Sequence, residues 1–252
     1  TASEIKIDFL STPFSLEAVD LLDELEVPAF KVASMDVTFH HLLQRIAEKN
    51  KPLLLSTGMA TLDEIQSAIN IFSSTSESEL ILLHCVSHYP PTPEQANLNT
   101  IYQLIEEFKV PVGYSDHVMG ISTCCAAVAI GACVIEKHFT TDRNLPGPDH
   151  KISSDPDEFG QLVDAVHTIE ASMGRACADV TRPDRIQSKS FRRGLYAKYD
   201  LPKGHIVTFS DILCVREEND FEPSDIEFLV GQKICKSISG GDDFTRDLLT
   251  QE

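Results

Sequence analysis

Two histidines stand at the ends of apolar runs, each beside side chains able to do chemistry: Ser115-Asp116-His117 and Glu136-Lys137-His138. An imidazole pair suits a divalent ion such as Mn, Fe, Co, Ni or Zn, and two protein donors leave coordination positions for water and a substrate oxygen. His84, His40, His41, His167 and His205 lack such company and read as structural or solvated. Lys31 lies inside the apolar run Ala29-Phe30-Lys31-Val32-Ala33. It is either an edge residue turned to solvent or a cation inside a barrel. In the second case Ser34, Ser56 and Ser115 complete a phosphate or carboxylate site, one point charge with several hydroxyl donors. Asp36 and Glu136 are candidate acid–base groups. Each is equally a candidate ion-pair partner for Lys31 or Lys137.

The elements that must position these groups are short apolar runs alternating with amphipathic stretches, the pattern of βα units and a parallel sheet. The runs predict strands at Ile5–Leu10, Ala29–Ala33, Pro52–Leu55, Leu80–Cys85, Val110–Tyr114 and Cys133–Lys137. Continuous rather than alternating hydrophobicity is expected of strands that helices cover. Thr61-Leu62-Asp63-Glu64 is a capping box, followed at helical spacing by Ile65, Ala68, Ile69 and Phe72. Asp155-Pro156 supplies an N-cap and a proline at the first helical position, and Phe159, Leu162, Val163, Val166 and Ile169 predict one buried stripe.

Six such units admit a (β/α)8 barrel short of two units or a six-strand doubly wound sheet. The second usually carries a glycine-rich first turn, G-x-G-x-x-G, which is absent. All six predicted strands end in polar side chains: Ser11-Thr12, Ser34 with Asp36, Ser56-Thr57, Cys85 to Ser87, Ser115 to His117, and Glu136 to His138. A barrel gathers all its strand ends around one mouth. The expected fold class is therefore α/β, a TIM-type barrel lacking its first two βα units, over residues 1–175. Residues 176–190 are polar and aperiodic and read as a linker. Residues 191–252 form a small module with an internal echo, Gly204 preceding Asp211-Ile212-Leu213 as Gly240 precedes Asp247-Leu248-Leu249.

The formal net charge of −18 gives no electrostatic footprint for nucleic acid or for an anionic membrane surface. The seven cysteines show no Cys-x-x-Cys spacing, and several sit in apolar runs, which predicts reduced thiols and a cytoplasmic setting. No apolar stretch approaches the ~18 residues of a membrane span. The chain enters an apolar segment almost at once from Thr1, which reads as a truncation and predicts an inactive, open barrel.

Several runs occur together in order: Phe9-Leu10-Ser11-Thr12-Pro13-Phe14, Lys31-Val32-Ala33-Ser34, Leu55-Ser56-Thr57-Gly58-Met59, Leu83-His84-Cys85, Tyr89-Pro90, Gly113-Tyr114-Ser115-Asp116-His117, Glu136-Lys137-His138-Phe139 and Gly147-Pro148-Asp149. As a set they resemble the sialic acid synthase family, which includes N-acetylneuraminate, legionaminate and pseudaminate synthases. The C-terminal module, from Phe191-Arg192-Arg193 to Asp200-Leu201-Pro202-Lys203-Gly204, resembles that family's antifreeze-like (SAF) domain. The resemblance implies condensation of phosphoenolpyruvate with an N-acylated amino sugar and release of phosphate. It implies His117 and His138 as ligands of a divalent metal, Mn2+ with Mg2+ or Co2+ as alternatives. It implies Thr12, Lys31, Ser34, Ser56, Ser87 and Ser115 as the phosphoenolpyruvate set, and Asp36, Tyr89 and Asp149 as residues facing the sugar. A domain-swapped homodimer is implied too, with Arg216 the candidate for an arginine lent to the partner's sugar site. Ser34-Met35-Asp36 departs from the family's common Ser-Gly-Glu or Ser-Gly-Asp. A spore-coat polysaccharide homologue and a non-catalytic sugar-binding relic are the alternatives.

Overall fold

The computed structural model describes residues 2–174 and 188–249. The chain divides into two compact units, Thr1–Gly174 and Arg175–Glu252. The first runs α1 (Leu16–Glu24), β1 (Phe30–Val32), α2 (His40–Ala47), β2 (Leu53–Ser56), α3 (Leu62–Ser73), β3 (Leu80–Cys85), α4 (Pro93–Ala96), α5 (Thr100–Phe108), β4 (Val112–Asp116), α6 (Ser122–Ala129), β5 (Ile135–Lys137) and α7 (Pro156–Met173).

The five strands pair in parallel in the order β1-β2-β3-β4-β5. A doubly wound sheet reverses its strand order at a switch point. Here the order never reverses, so right-handed crossovers lay every connection on the same face, as in a barrel wall. On that face Phe30, Val32, Leu53, Leu55, Leu82, Val112 and Tyr114 are buried in one core with Leu42, Leu43 and Ile46 of α2 and Phe72 of α3. The opposite face carries Lys31 beside Leu54, Ser56 beside Leu83, Cys85 beside Ser115, and Ser115 beside Glu136.

Local signals hold where the sequence supplies its own partner. The capping box at Thr61 and Glu64 starts α3, and the Asp155 side chain accepts from Glu158 N at the start of α7. The predicted strand at Ile5–Leu10 does not form. Residues 2–6 are turns and 7–14 lie outside any ladder, with Ile5, Ile7 and Phe9 more than half exposed. A strand is made by its neighbour, and β1 bonds to β2 alone. The apolar run therefore has composition without pairing, and the described sheet has five strands where six are predicted. The α7 stripe is also less buried than its spacing predicts. Leu162 is buried, but Val163 is 40% exposed. With Val128, Ile135 and Phe159 it borders an open apolar groove of about 220 Å³.

Of the predicted linker, residues 176–187 lie outside the described residues. Its last residues are helical, in α8 (Ser188–Phe191). The second unit continues with β6 (Arg193–Ala197) and β7 (Ile212–Arg216), an antiparallel pair, and α9 (Ile226–Leu229). Isolated bridges Leu201–Ile238, Ile206–Lys233 and Ile234–Leu249 close it around its own core of Leu195, Leu201, Val207, Phe221, Leu229, Ile234 and Phe244. The echo read in the sequence has a structural counterpart. Gly204 and Gly241 both take positive φ, and each leads to a buried apolar residue, Val207 and Phe244, and then to a 3-10 turn.

Candidate active site at the strand ends

At the carboxyl ends of β1–β5 lies a cavity of about 500 Å³. Ten of the thirteen predicted site residues line it: Thr12, Lys31, Ser34, Ser56, Ser87, Tyr89, Ser115, His117, Glu136 and His138. Strand alternation explains the selection. Side chains two apart on a strand share a face, so Ser56 follows Leu54, and Cys85 follows Leu83 and Ile81, onto the face opposite the helices. Thr12 reaches the cavity from a segment that is not a strand.

The Lys31 side chain is 13% exposed, and its Nζ lies 3.3 Å from Glu136 Oε2. Ser115 Oγ donates to the other oxygen of the same carboxylate at 2.5 Å. Glu136 thus engages Lys31, one of the two ion-pair options left open by the sequence. Ser34 Oγ accepts from Gly58 N at 3.0 Å. A side chain at Gly58 would place its Cβ 2.6 Å from Ser87 Oγ and 2.9 Å from Ser34 Oγ, so glycine is what allows these two hydroxyls to crowd its backbone. Ser56 Oγ is buried with no hydrogen-bond partner. A buried hydroxyl left unsatisfied costs free energy unless a ligand or water completes it. One cation, four serines and an orphaned hydroxyl among them form a cradle for an anion.

Beside the cradle, the His117 and His138 rings lie 5.1 Å apart between centroids, with their planes at 54°. Tyr89 packs against both, at 4.2 Å and 5.8 Å. His117 Nδ1 faces Val86 O at 3.2 Å, which leaves Nε2 as the nitrogen able to bind a ligand. Burial lowers the His117 pKa, and the neighbouring His138 lowers it further, so the ring is held in the neutral form that coordinates metals. His138 Nδ1 lies 3.9 Å from Asp149 Oδ2. Among the described residues no group of three His, Cys, Asp or Glu side chains could hold an ion by itself. The donor set fits an open site, two neutral imidazoles with the remaining positions left to substrate oxygen and water.

Three predicted residues fall outside the cavity lining. Asp36 sits on the 3-10 turn after β1, where one carboxylate oxygen is buried without a partner and burial raises its pKa. Asp149 is half exposed and reaches the site only through His138. Arg216 ends β7 in the second unit, its guanidinium over the Phe191 ring at 5.3 Å.

The sequence gave no reason to single out four further features. Met35 and Met59 line the cavity, and Cys85 Sγ lies 3.9 Å from His117 Nδ1. Asp116 and Lys137, read only as polar neighbours of the histidines, form a buried ion pair at 2.8 Å on the helix side of the sheet. Their adjacency to His117 and His138 was visible, but the pairing was not. His84, set aside as structural, is buried and bonds Ala96 O at 2.7 Å.

Comparison with known proteins agrees with this geometry. The model of the NeuB family matches residues 1–178. An uncharacterised protein of Methanocaldococcus jannaschii is 41% identical over 233 residues, 92% of this chain and 69% of that protein. The N,N'-diacetyllegionaminic acid synthase of Campylobacter jejuni is 40% identical over 238 residues, 94% of this chain and 71% of that enzyme. The solved N-acetylneuraminic acid synthetase of Leptospira borgpetersenii superposes with a TM-score of 0.70 at 38% identity, over 74% of this chain and 65% of that one. With its strand-end cavity and a family match that spans the whole first unit, the chain belongs to the NeuB family, relatives of which are sialic and legionaminic acid synthases.

Proposed function

We propose that the chain condenses phosphoenolpyruvate with the open-chain form of a 2-acylamino sugar, giving a nonulosonic acid and inorganic phosphate. The observation that carries this reading is the cavity in which Lys31, the unpartnered Ser56 hydroxyl and Ser34, Ser87 and Ser115 adjoin two facing imidazoles. The cradle suits the phosphate and carboxylate of phosphoenolpyruvate. Carbon 3 of that substrate forms the new bond to the sugar aldehyde carbon, whose oxygen takes a proton and becomes a hydroxyl. Water adds to carbon 2 and loses a proton, and the carbon–oxygen bond to phosphate breaks to leave the keto acid.

His117 and His138 would hold a divalent ion, Mn2+ first and Mg2+ or Co2+ as alternatives, which supplies Lewis-acid polarisation of the aldehyde. Lys31 and the serines fix the anion in register with the acceptor. Glu136 occupies Lys31 and Ser115 in the structure. An arriving anion displaces it from both, which frees a carboxylate beside the reacting carbons to accept a proton. Tyr89, Asp149 and Asp36 are the residues we propose for the sugar side.

The C-terminal unit we infer to be an antifreeze-like module that caps the mouth of a partner's barrel in a swapped homodimer, with Arg216 contributing to the partner's sugar site. The free thiols of the described cysteines suit a reducing cytoplasm.

The test is incubation with phosphoenolpyruvate, Mn2+ and a panel of 2-acylamino sugars, with phosphate and 2-keto acid as readouts. Turnover that depends on one sugar, and that His117→Ala or His138→Ala abolishes, is the expected result. The same panel separates N-acetylneuraminate, legionaminate and pseudaminate chemistry. Phosphate release indifferent to the sugar, or full activity in either histidine variant after chelation and Mn2+ repletion, overturns the reading.

A further inference from the structure

Behind the cavity, on the helix side of β4 and β5, lies a charged pair that the proposed reaction does not use. Asp116 and Lys137 are register partners on adjacent parallel strands. Their side chains are 0% and 2% exposed, and Lys137 Nζ lies 2.8 Å from Asp116 Oδ2. Asp116 is fully engaged. Oδ1 accepts from Tyr114 Oη at 2.8 Å and from Val118 N at 2.9 Å, and Oδ2 accepts from Thr123 Oγ1 at 2.9 Å and Cys124 Sγ at 3.0 Å. Lys137 Nζ also donates to Val118 O at 2.7 Å.

The arrangement encloses one residue of the site. His117 lies between Asp116, whose carboxylate is pinned by five donors, and Val118, whose N–H is held by that carboxylate and whose C=O is held by Lys137. Lys137 in turn immediately precedes His138. Each imidazole is therefore one residue from a member of the pair, on the opposite side of its strand. Two adjacent strand ends cannot slip relative to one another without breaking contacts that no water reaches, and a buried charge left without its partner is strongly unfavourable.

We propose that the Asp116–Lys137 pair is a positioning clamp for the site, setting the orientation of His117 and its spacing from His138. Its bearing on catalysis rests on the metal-site reading above, while its effect on His117 can be measured without metal. Hydrophobic replacement of a buried ion pair often preserves or raises stability, so a clamp and a mere staple are separable. The variant is the neutral pair Asp116→Asn with Lys137→Met, accompanied by the milder Thr123→Val, which removes one donor to Asp116 and leaves the charges in place.

The measurement is long-range 1H–15N correlation of the imidazole rings in the metal-free protein. In the unmodified chain His117 is expected in a single tautomer with Nδ1–H facing Val86 O, and His84 in one fixed by Ala96 O. The neutral pair should turn His117 into a mixture of tautomers while the His84 signals stay in place, and Thr123→Val should shift His117 less. Leu104→Ala, a core truncation in α5, should leave His117 unchanged, which shows that lost stability alone does not move the ring. A His117 signature identical to that of the unmodified protein, in either variant with a cooperative melt, overturns the clamp. Mn2+ titration of the same proteins is scored separately: a loss of at least tenfold in affinity is expected for the neutral pair. If the unmodified chain binds no Mn2+, the metal reading fails, and the ring signature still decides the clamp.

Discussion

Lys31 is the only lysine or arginine among the described residues lining the cavity, and its side chain is almost buried. In a chain of net charge −18, attraction of an anion has to be local, and the long-range field opposes it. Replacement by methionine keeps most of the volume and removes the charge. Lys31→Met is expected to weaken phosphoenolpyruvate binding by at least tenfold, about 1.4 kcal/mol, with a much smaller effect on the sugar. Calorimetric titration of each substrate checks this; equal loss for both points to a folding defect. The same substitution leaves Glu136 without its cation.

At the scale of elements, α1 is tied to α2 and to the start of β2 by charge as well as by its buried Val19 and Leu22. Asp20 meets Arg45 and Lys49 at 2.7 Å each, and Asp23 meets Lys51 at 2.8 Å. The hydrogen bond from Arg45, followed by that from Lys49, lowers the Asp20 pKa to about 2, and Lys51 lowers that of Asp23. A carboxyl whose pKa is depressed on folding adds stability that is fully present above its unfolded value near 4 and is lost as pH falls through the folded value. Asp20→Asn should therefore lower the melting temperature at neutral pH. Its deficit should shrink as pH falls from about 4 towards 2 and vanish below that. Melting temperature measured against pH for both proteins decides it, and a deficit independent of pH would mean the ion pairs do not contribute. All these groups are exposed, so added salt should reduce the effect.

At the scale of the whole molecule, two separate cores imply two separate stabilities. The second unit's core centres on Phe221 and Phe244, both fully buried. A unit of ~60 residues has only a few kcal/mol of net stability. Phe244→Ala, at the ~3–5 kcal/mol typical of such truncations, should unfold that unit while the melt of the first unit keeps its midpoint. Calorimetry of the full chain should show one transition lost or moved far down and the other unchanged. A uniform downward shift of both would show that the two units unfold as one.

How much of this was legible beforehand follows from where each signal's partner lies. Capping boxes, strand-end polars, the lysine in an apolar run and the paired histidines are patterns of residue type over a few positions. They located ten of the cavity's residues and the order of the sheet, because in a parallel wall every strand delivers its carboxyl end to the same side. The sequence by itself thus determined the set of groups and the mouth at which they gather. Only the tertiary structure decided the pairings. Ile5–Leu10 has strand composition but no neighbour to bond, and the α7 stripe has helical spacing but an uncovered flank. Glu136 took Lys31, and Lys137 took Asp116, because strand alternation sends residues 136 and 137 to opposite faces. That choice depends on which strand lies alongside, a contact between residues about twenty positions apart that no local pattern records.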